Sequence, residues 1–342
     1  MQTKGLIALL VAAIIVAASA VALSLGGTQT VAEAGSGQVV LAGLAGKIGD
    51  VAGLKISGAG GTVTLQRQDQ GWTIAEKGGY PADPAKIRQV LLGFAELTLV
   101  EPKTRSADSY NRLDVEDPGK EGGHSRLVEI ADGTGGKLGA LIVGKRRPDR
   151  LGSGADGLYI RRPGDAQSWL AQGSVELPTE IKDWLDKKIV SIAPARISKV
   201  TLTHEDGSTL VIARDKEDGK FAVEGAPADS KLKSDAVVAE PAGVLDGLEL
   251  SDVRPAAEVE FPGSGLSRAE WVTFDGLTVI GETFDKDGAG WLRLKASGSD
   301  KAADEAAAIN ARTASWAYAV FPYKSNAMKT KLADLVETPK GS

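Results

Sequence analysis

Gly71-Trp72-Thr73-Ile74, then Tyr80-Pro81-Ala82-Asp83-Pro84, then a run ending Phe94-Ala95-Glu96-Leu97-Thr98-Leu99, decides how this 342-residue chain is read. Trp72 and Ile74 point to one face of a strand. Tyr80-Pro81-Ala82 is expected to break the sheet. Asp83 before Pro84 suits an N-cap followed by proline at the first helical position. Ile87, Val90, Leu91, Phe94 and Leu97 recur at spacings of three and four, which makes one apolar helical face. The plan returns as Gly219-Lys220-Phe221-Ala222-Val223, Pro227-Ala228-Asp229 and a run ending Leu245-Asp246-Gly247-Leu248-Glu249-Leu250. Pro-Ala-Asp recurs 146 positions on. The echo predicts two copies of one unit.

Outward from this stretch, residues 51–56 and 62–67 alternate as strands around Gly58-Ala59-Gly60-Gly61, a hairpin pattern. Residues 197–202 and 209–214 match it. Residues 127–130, 138–143 and 158–161 read as three more strands, matched by 271–274, 277–281 and 291–294, with Val143-Gly144 set against Ile280-Gly281. Residues 100–123 are a polar connection. Residues 166–171 and 178–188 read as helical or short-turn pieces. Pro241 should interrupt the second helical run, residues 231–250. Residues 302–312 are alanine-rich and helical or disordered, 316–322 extended, and 326–337 a terminal amphipathic helix. The expected fold is α+β: two tandem similar units, at residues 47–192 and 193–338, each a mostly antiparallel sheet with packed helices.

Hydrophobic residues make up 42% and charged residues 25%, the balance of a folded protein. A net charge of -5 argues against nucleic acid, which needs a basic face. The absence of cysteine excludes disulfides, thiolate metal sites and cysteine nucleophiles. Residues 5–25 carry no charge, and as a helix they would span about 31 Å against a hydrocarbon core of about 30 Å. Lys4 supplies a positive flank, so the amino terminus should stay cytoplasmic while the remainder is exported. Residues 1–26 are expected to be a transmembrane anchor and residues 27–46 a tether. The alternative is a signal peptide cut after Val31-Ala32-Glu33-Ala34. The anchor places the protein in the inner membrane, single-pass, with its bulk on the periplasmic side.

Gly152-Ser153-Gly154-Ala155-Asp156-Gly157 fits G-x-G-x-x-G, but it leads into a strand pattern and not a helix, so a hairpin loop is expected. Asp285-Lys286-Asp287-Gly288 resembles the start of a calcium loop, but its twelfth position is Ala296, so a β-turn is expected. Lys145-Arg146-Arg147-Pro148-Asp149-Arg150 with Arg161-Arg162 should be a solvated basic loop. His124 and His204, the two histidines, should be surface residues. Trp169, Trp184, Trp271, Trp291 and Trp316 are expected in the core. No spacing singles out a pair of carboxylates for hydrolysis.

The anchor, the strand–Trp–Pro-Ala-Asp–helix unit and its second copy resemble a bacterial family of domains of unknown function, DUF4340, over about residues 51–336. The resemblance implies an exported, membrane-anchored protein, in some members encoded beside gliding-motility-type ABC transporter components. It implies no catalytic, cofactor-binding or metal-binding residue, and none is assigned. The expected role is non-enzymatic: an accessory or interaction module of a cell-envelope complex. Its partners would be the membrane, through the N-terminal helix, and an envelope protein such as an ABC transporter component, with no nucleic acid. The alternatives are a module binding polysaccharide or peptide, and a carboxylate-dependent cell-wall hydrolase.

Overall fold

A computed structural model describes residues 36–120, 122–148, 156–227 and 230–337. The protein is mostly β, with two antiparallel sheets of nine strands each and a few helices. The expected N-terminal helix, residues 1–26, lies outside the described residues. Among the described residues no helix is long and apolar enough to cross a membrane.

The first sheet contains β1 (Val51–Gly58), β2 (Gly61–Gln68), β3 (Gly71–Ile74), β4 (Tyr80–Pro81), β5 (Thr98–Pro102), β6 (Arg126–Asp132), β7 (Lys137–Arg147), β8 (Gly157–Arg161) and β9 (Ser168–Gln172). Their spatial order is β4-β3-β2-β1-β6-β7-β8-β9-β5, with α1 (Pro84–Glu96) leading into β5. The second sheet contains β10 (Lys188–Val190), β11 (Ile197–Thr203), β12 (Thr209–Ala213), β13 (Ala222–Glu224), β14 (Leu248–Pro255), β15 (Ser267–Thr273), β16 (Leu277–Lys286), β17 (Ala289–Gly298) and β18 (Trp316–Val320), in the order β10-β14-β18-β17-β16-β15-β11-β12-β13. Four helices accompany it: α2 (Asp235–Ala239), α3 (Lys301–Thr313), α4 (Pro322–Ala327) and α5 (Leu332–Leu335).

Eight strands follow one path in both sheets: β3-β2-β1-β6-β7-β8-β9-β5 and β13-β12-β11-β15-β16-β17-β18-β14. Two of the irregularities recur too. β1 shifts register against β6 between Val51 and Gly53, and β11 against β15 between Ile197 and Lys199. β5 shifts against β9 between Leu99 and Glu101, and β14 against β18 between Leu250 and Asp252. A one-residue slip would turn every inward side chain outward, so a bulge marks register sharply. The inward sets agree: Val51, Leu54 and Ile56 are buried, as are Ile197, Val200 and Leu202.

Several expectations need correction. Tyr80-Pro81 does not break the sheet; it pairs with β3 as a short edge strand, Ile74 opposite Tyr80. Of residues 166–171, expected as a helical or short-turn piece, 168–171 belong to β9, where Ser168, Trp169, Leu170 and Ala171 are all buried. A strand covered on both faces loses the alternation that betrays it. β5 and β14 escaped the sequence reading for a related reason: they follow the helical runs directly, so their leucines read as helix ends. The glycine match is out of register by three residues: Gly281 faces Ala269, and the position facing the equivalent Val128 is Leu141, not Gly144. Each glycine answers its own neighbour. A side chain at Gly144 would collide with the Leu113 carbonyl oxygen, and one at Gly281 would meet Met328 Cε at 2.9 Å. The terminal amphipathic helix is two short helices, α4 and α5.

Two compact units form. One comprises the described residues up to Thr62 together with Arg88–Leu177; the other comprises Val63–Ile87 together with residues from Pro178 onward. In the first, residues 36–40 pair along β5: Gly37 N–H donates to Leu99 O (2.6 Å), Leu99 N–H to Gln38 O (2.8 Å) and Val40 N–H to Leu97 O (2.8 Å). In the second, the opening stretch is tied down on all sides. Lys77 Nζ lies 2.5 Å from Asp252 Oδ1, and the Tyr80 ring meets Trp316 edge-on at 4.9 Å. Asp83 N–H donates to Trp184 O at 2.8 Å, and Lys86 Nζ to Asp183 O at 2.6 Å.

Candidate functional site

Among the large apolar side chains that stay exposed, two sit together at α4. Tyr323 is 63% exposed and Phe321 38%, with ring centroids 6.2 Å apart and planes 20° from parallel. The local sequence explains the placement. Phe321 is the extended N-cap residue, Pro322 takes the first helical position, and Ser325 N–H donates to Phe321 O at 3.2 Å. A proline there loses no hydrogen bond and presets the helical φ.

The base beneath the two rings is rigid. Lys324 Nζ donates to three carbonyl oxygens of one turn, Gly243 (3.0 Å), Val244 (2.8 Å) and Asp246 (2.8 Å). Burial of the ammonium lowers its pKa, and the nearby Asp246 carboxylate opposes that shift. Ser325 is buried against Gly290, where a Cβ would come within 2.6 Å of it. Lys329 Nζ is 2.5 Å from Asp285 Oδ1. Aromatic side chains on such a base lose little freedom when a partner covers them, the usual property of binding hot spots.

A second candidate is a shallow cavity of about 160 Å³ lined by Arg196, Glu217, Phe274 and Asp275. The cation in that lining, Arg196, is already engaged. Arg196 makes a bidentate pair with Glu305 (2.9 and 2.7 Å) and reaches Asp275 Oδ2 at 2.8 Å. The Glu305 hydrogen bonds are the main reason the Arg196 pKa is raised. The Thr273 hydroxyl, and after it Arg196, hold Asp275 below the usual carboxylate range. Arg214 donates to Ile197 O (2.9 Å) and Ala195 O (2.9 Å), with its guanidinium 4.4 Å from the Phe221 ring centre. This network fastens α3 to the start of β11 and offers a ligand no unpaired cation.

The residues singled out by sequence are scattered. Trp169, Trp184, Trp271 and Trp291 are buried, as expected of core residues, and Trp316 is half-buried. His124 is exposed, but His204 is buried, contrary to expectation; its backbone closes the turn, His204 O accepting from Gly207 N–H and His204 N–H donating to Ser208 O, both at 2.9 Å. Asp287 and Gly288 form a two-residue hairpin turn, both at positive φ (55° and 78°), between Lys286 and Ala289. That is the β-turn expected, of the kind that matches strand twist. Most of Gly152-Ser153-Gly154-Ala155-Asp156-Gly157 lies outside the described residues, as do Asp149, Arg150, Ala228 and Asp229. The basic cluster is not one loop. Lys145, Arg146 and Arg147 extend β7, and Arg161 is buried, 4.5 Å from the Tyr110 ring centre and donating to Val115 O at 2.7 Å. Among the described residues no three His, Asp or Glu side chains converge as a metal site would require.

The expected extended piece, residues 316–322, ends before Tyr323; β18 covers Trp316–Val320, and Pro322 opens α4. The available signal was Pro322 between two aromatics, a proline at a helix start.

A family model described as a domain of unknown function (DUF4340) matches residues 72–263, more than half of the chain. The match begins within β3 and ends after β14, so it takes in strands of both sheets. Comparison with curated proteins gave no match, and neither did comparison with solved structures.

Proposed function

The chain belongs to the DUF4340 family, and on that premise we propose that it is a membrane-anchored, extracytoplasmic, non-enzymatic interaction module of a cell-envelope complex. In this reading residues 1–26 form a single-pass anchor in the inner membrane. The rest is two tandem similar units, a duplication supported by the shared eight-strand path and the paired bulges. The observation that carries the reading is the exposed Phe321–Tyr323 pair on its pinned helix. An envelope protein, such as a component of an ABC transporter, is the proposed partner.

The test is co-purification of the full chain from detergent-solubilised membranes, compared with a Phe321→Ser/Tyr323→Ser variant. The expected result is a partner protein that the variant fails to retain, while the melting temperatures of the two proteins agree. A partner retained equally by both would refute the assigned surface. The near-parallel rings also suit sugar faces, which favours polysaccharide binding as a second reading. Retention of the partner-free protein on glycan resin, abolished in the variant, would select it.

A further inference from the structure

We propose that the edge formed by residues 36–40 and β5 rests on the lipid surface of the bilayer. This inference depends on the anchor reading given under Proposed function. Val39 is 43% exposed and Val100 41%, unusual for valines in paired backbone. They lie on one edge: Val39 faces Thr98, and Ser36 Oγ donates to Val100 O at 2.9 Å. Val100 sits in the bulge between Leu99 and Glu101, which turns it away from the buried face.

The segment itself carries no charge. No charged residue occurs between Ala34 and Gly46, and Val39, Ala42, Gly43, Ala45 and Gly46 are all exposed there. Glu101 and Lys103, the nearest charges along β5, pair with each other at 2.6 Å. Arg162 reaches the segment, donating to Val40 O at 3.0 Å, while Val39 and Val100 stay open. Exposed apolar side chains along a sheet edge invite association unless something covers them.

Chain length names the occupant. Residues 27–35 separate the anchor, residues 1–26, from Ser36. Nine residues reach at most about 32 Å fully extended, and much less as a relaxed coil. An anchored chain therefore holds this edge close to the headgroups, and lipid meets it before any freely diffusing partner does.

The sequence has no cysteine, so single cysteines label cleanly. The full chain, reconstituted in phosphatidylcholine/phosphatidylglycerol vesicles, would carry a nitrobenzoxadiazole label on Val39→Cys, Val100→Cys or Lys55→Cys. Lys55 is an exposed residue of β1, five strand intervals from β5 and thus about 24 Å along the sheet. Headgroup spin-labelled lipid should diminish emission at 39 and 100 and leave 55 unchanged. Equal quenching at all three positions, or none at 39 and 100, would overturn the proposal while leaving the anchor intact. Shielding of 39 and 100 from aqueous iodide without lipid quenching would assign the edge to another copy of the chain and overturn it too. A chain released from the vesicles by carbonate wash would overturn both readings, and that outcome is visible before any fluorescence is recorded.

Discussion

Asp83 shows how much one side chain can organise. Its Oδ1 accepts the amides of Ala85 (2.9 Å) and Lys86 (3.2 Å), the free donors at the start of α1. Its own amide donates to Trp184 O, so the cap also binds the helix start to a residue about a hundred positions away. Asp83→Ala should cost about 0.5–2 kcal/mol through the lost cap, read as a lower urea midpoint at constant slope. Asp83→Asn should recover most of it. A variant with wild-type stability would mean the cap bonds contribute nothing net. The cap was legible because an acceptor before proline is a local signal. Trp184 as its partner was not, since nothing near Asp83 in sequence points to it.

At the scale of elements, the two helical runs diverge. α1 is 13 residues long, whereas Pro241 limits its counterpart to the five residues of α2 and a 3-10 turn at Glu240–Gly243. The Pro241 carbonyl is taken up by Trp271 Nε1 at 2.8 Å, so the interruption is built into the core. α4 depends likewise on distant groups. Lys324→Met keeps the apolar stem and removes three charge-assisted hydrogen bonds, each to a carbonyl about 80 positions away. We expect a loss of about 1.5–3 kcal/mol and faster hydrogen exchange at the Ser325 and Met328 amides, checked by denaturation and by native-state exchange. Unchanged protection at those amides would show that packing alone holds α4. The exposure of Phe321 and Tyr323 follows from this anchoring, so it could not be read from a stretch whose residues look like core aromatics.

For the molecule as a whole, the repeated path explains which faces are filled. Arg161 covers the Tyr110 ring and Arg293 the Phe261 ring, each at 4.5 Å, beside satellite clusters that contain or pack against Tyr159 in the first sheet and Trp291 in the second. Acid stability is also distributed. Asp132 is held below the usual carboxylate range first by the Thr134 hydroxyl, Asp206 first by the Ser208 hydroxyl, and Asp275 first by the Thr273 hydroxyl. A carboxylate with a depressed folded pKa contributes stability that is full above its unfolded value, near 3.9, and is lost as pH falls through the folded value. The melting temperature should therefore hold from neutrality to about pH 5 and decline below pH 4 or so. A double Asp132→Asn/Asp206→Asn variant should decline less steeply, and parallel curves would assign acid unfolding to other groups. The chain alone specified what local chemistry can specify. Hairpin turns, the Asp83 cap and the proline interruption all follow from residues within a few positions of each other, and the approximate repeat from such local patterns returning 146 positions on. Tertiary packing settled the rest. Strands buried on both faces lose their alternation, as in β9, and ladder register sets which glycines and leucines correspond. The pairing of residues 36–40 with β5, and the pinning of α4 by a turn far away in sequence, left Val39, Val100, Phe321 and Tyr323 facing outward, because exposure depends on neighbours that sequence does not place.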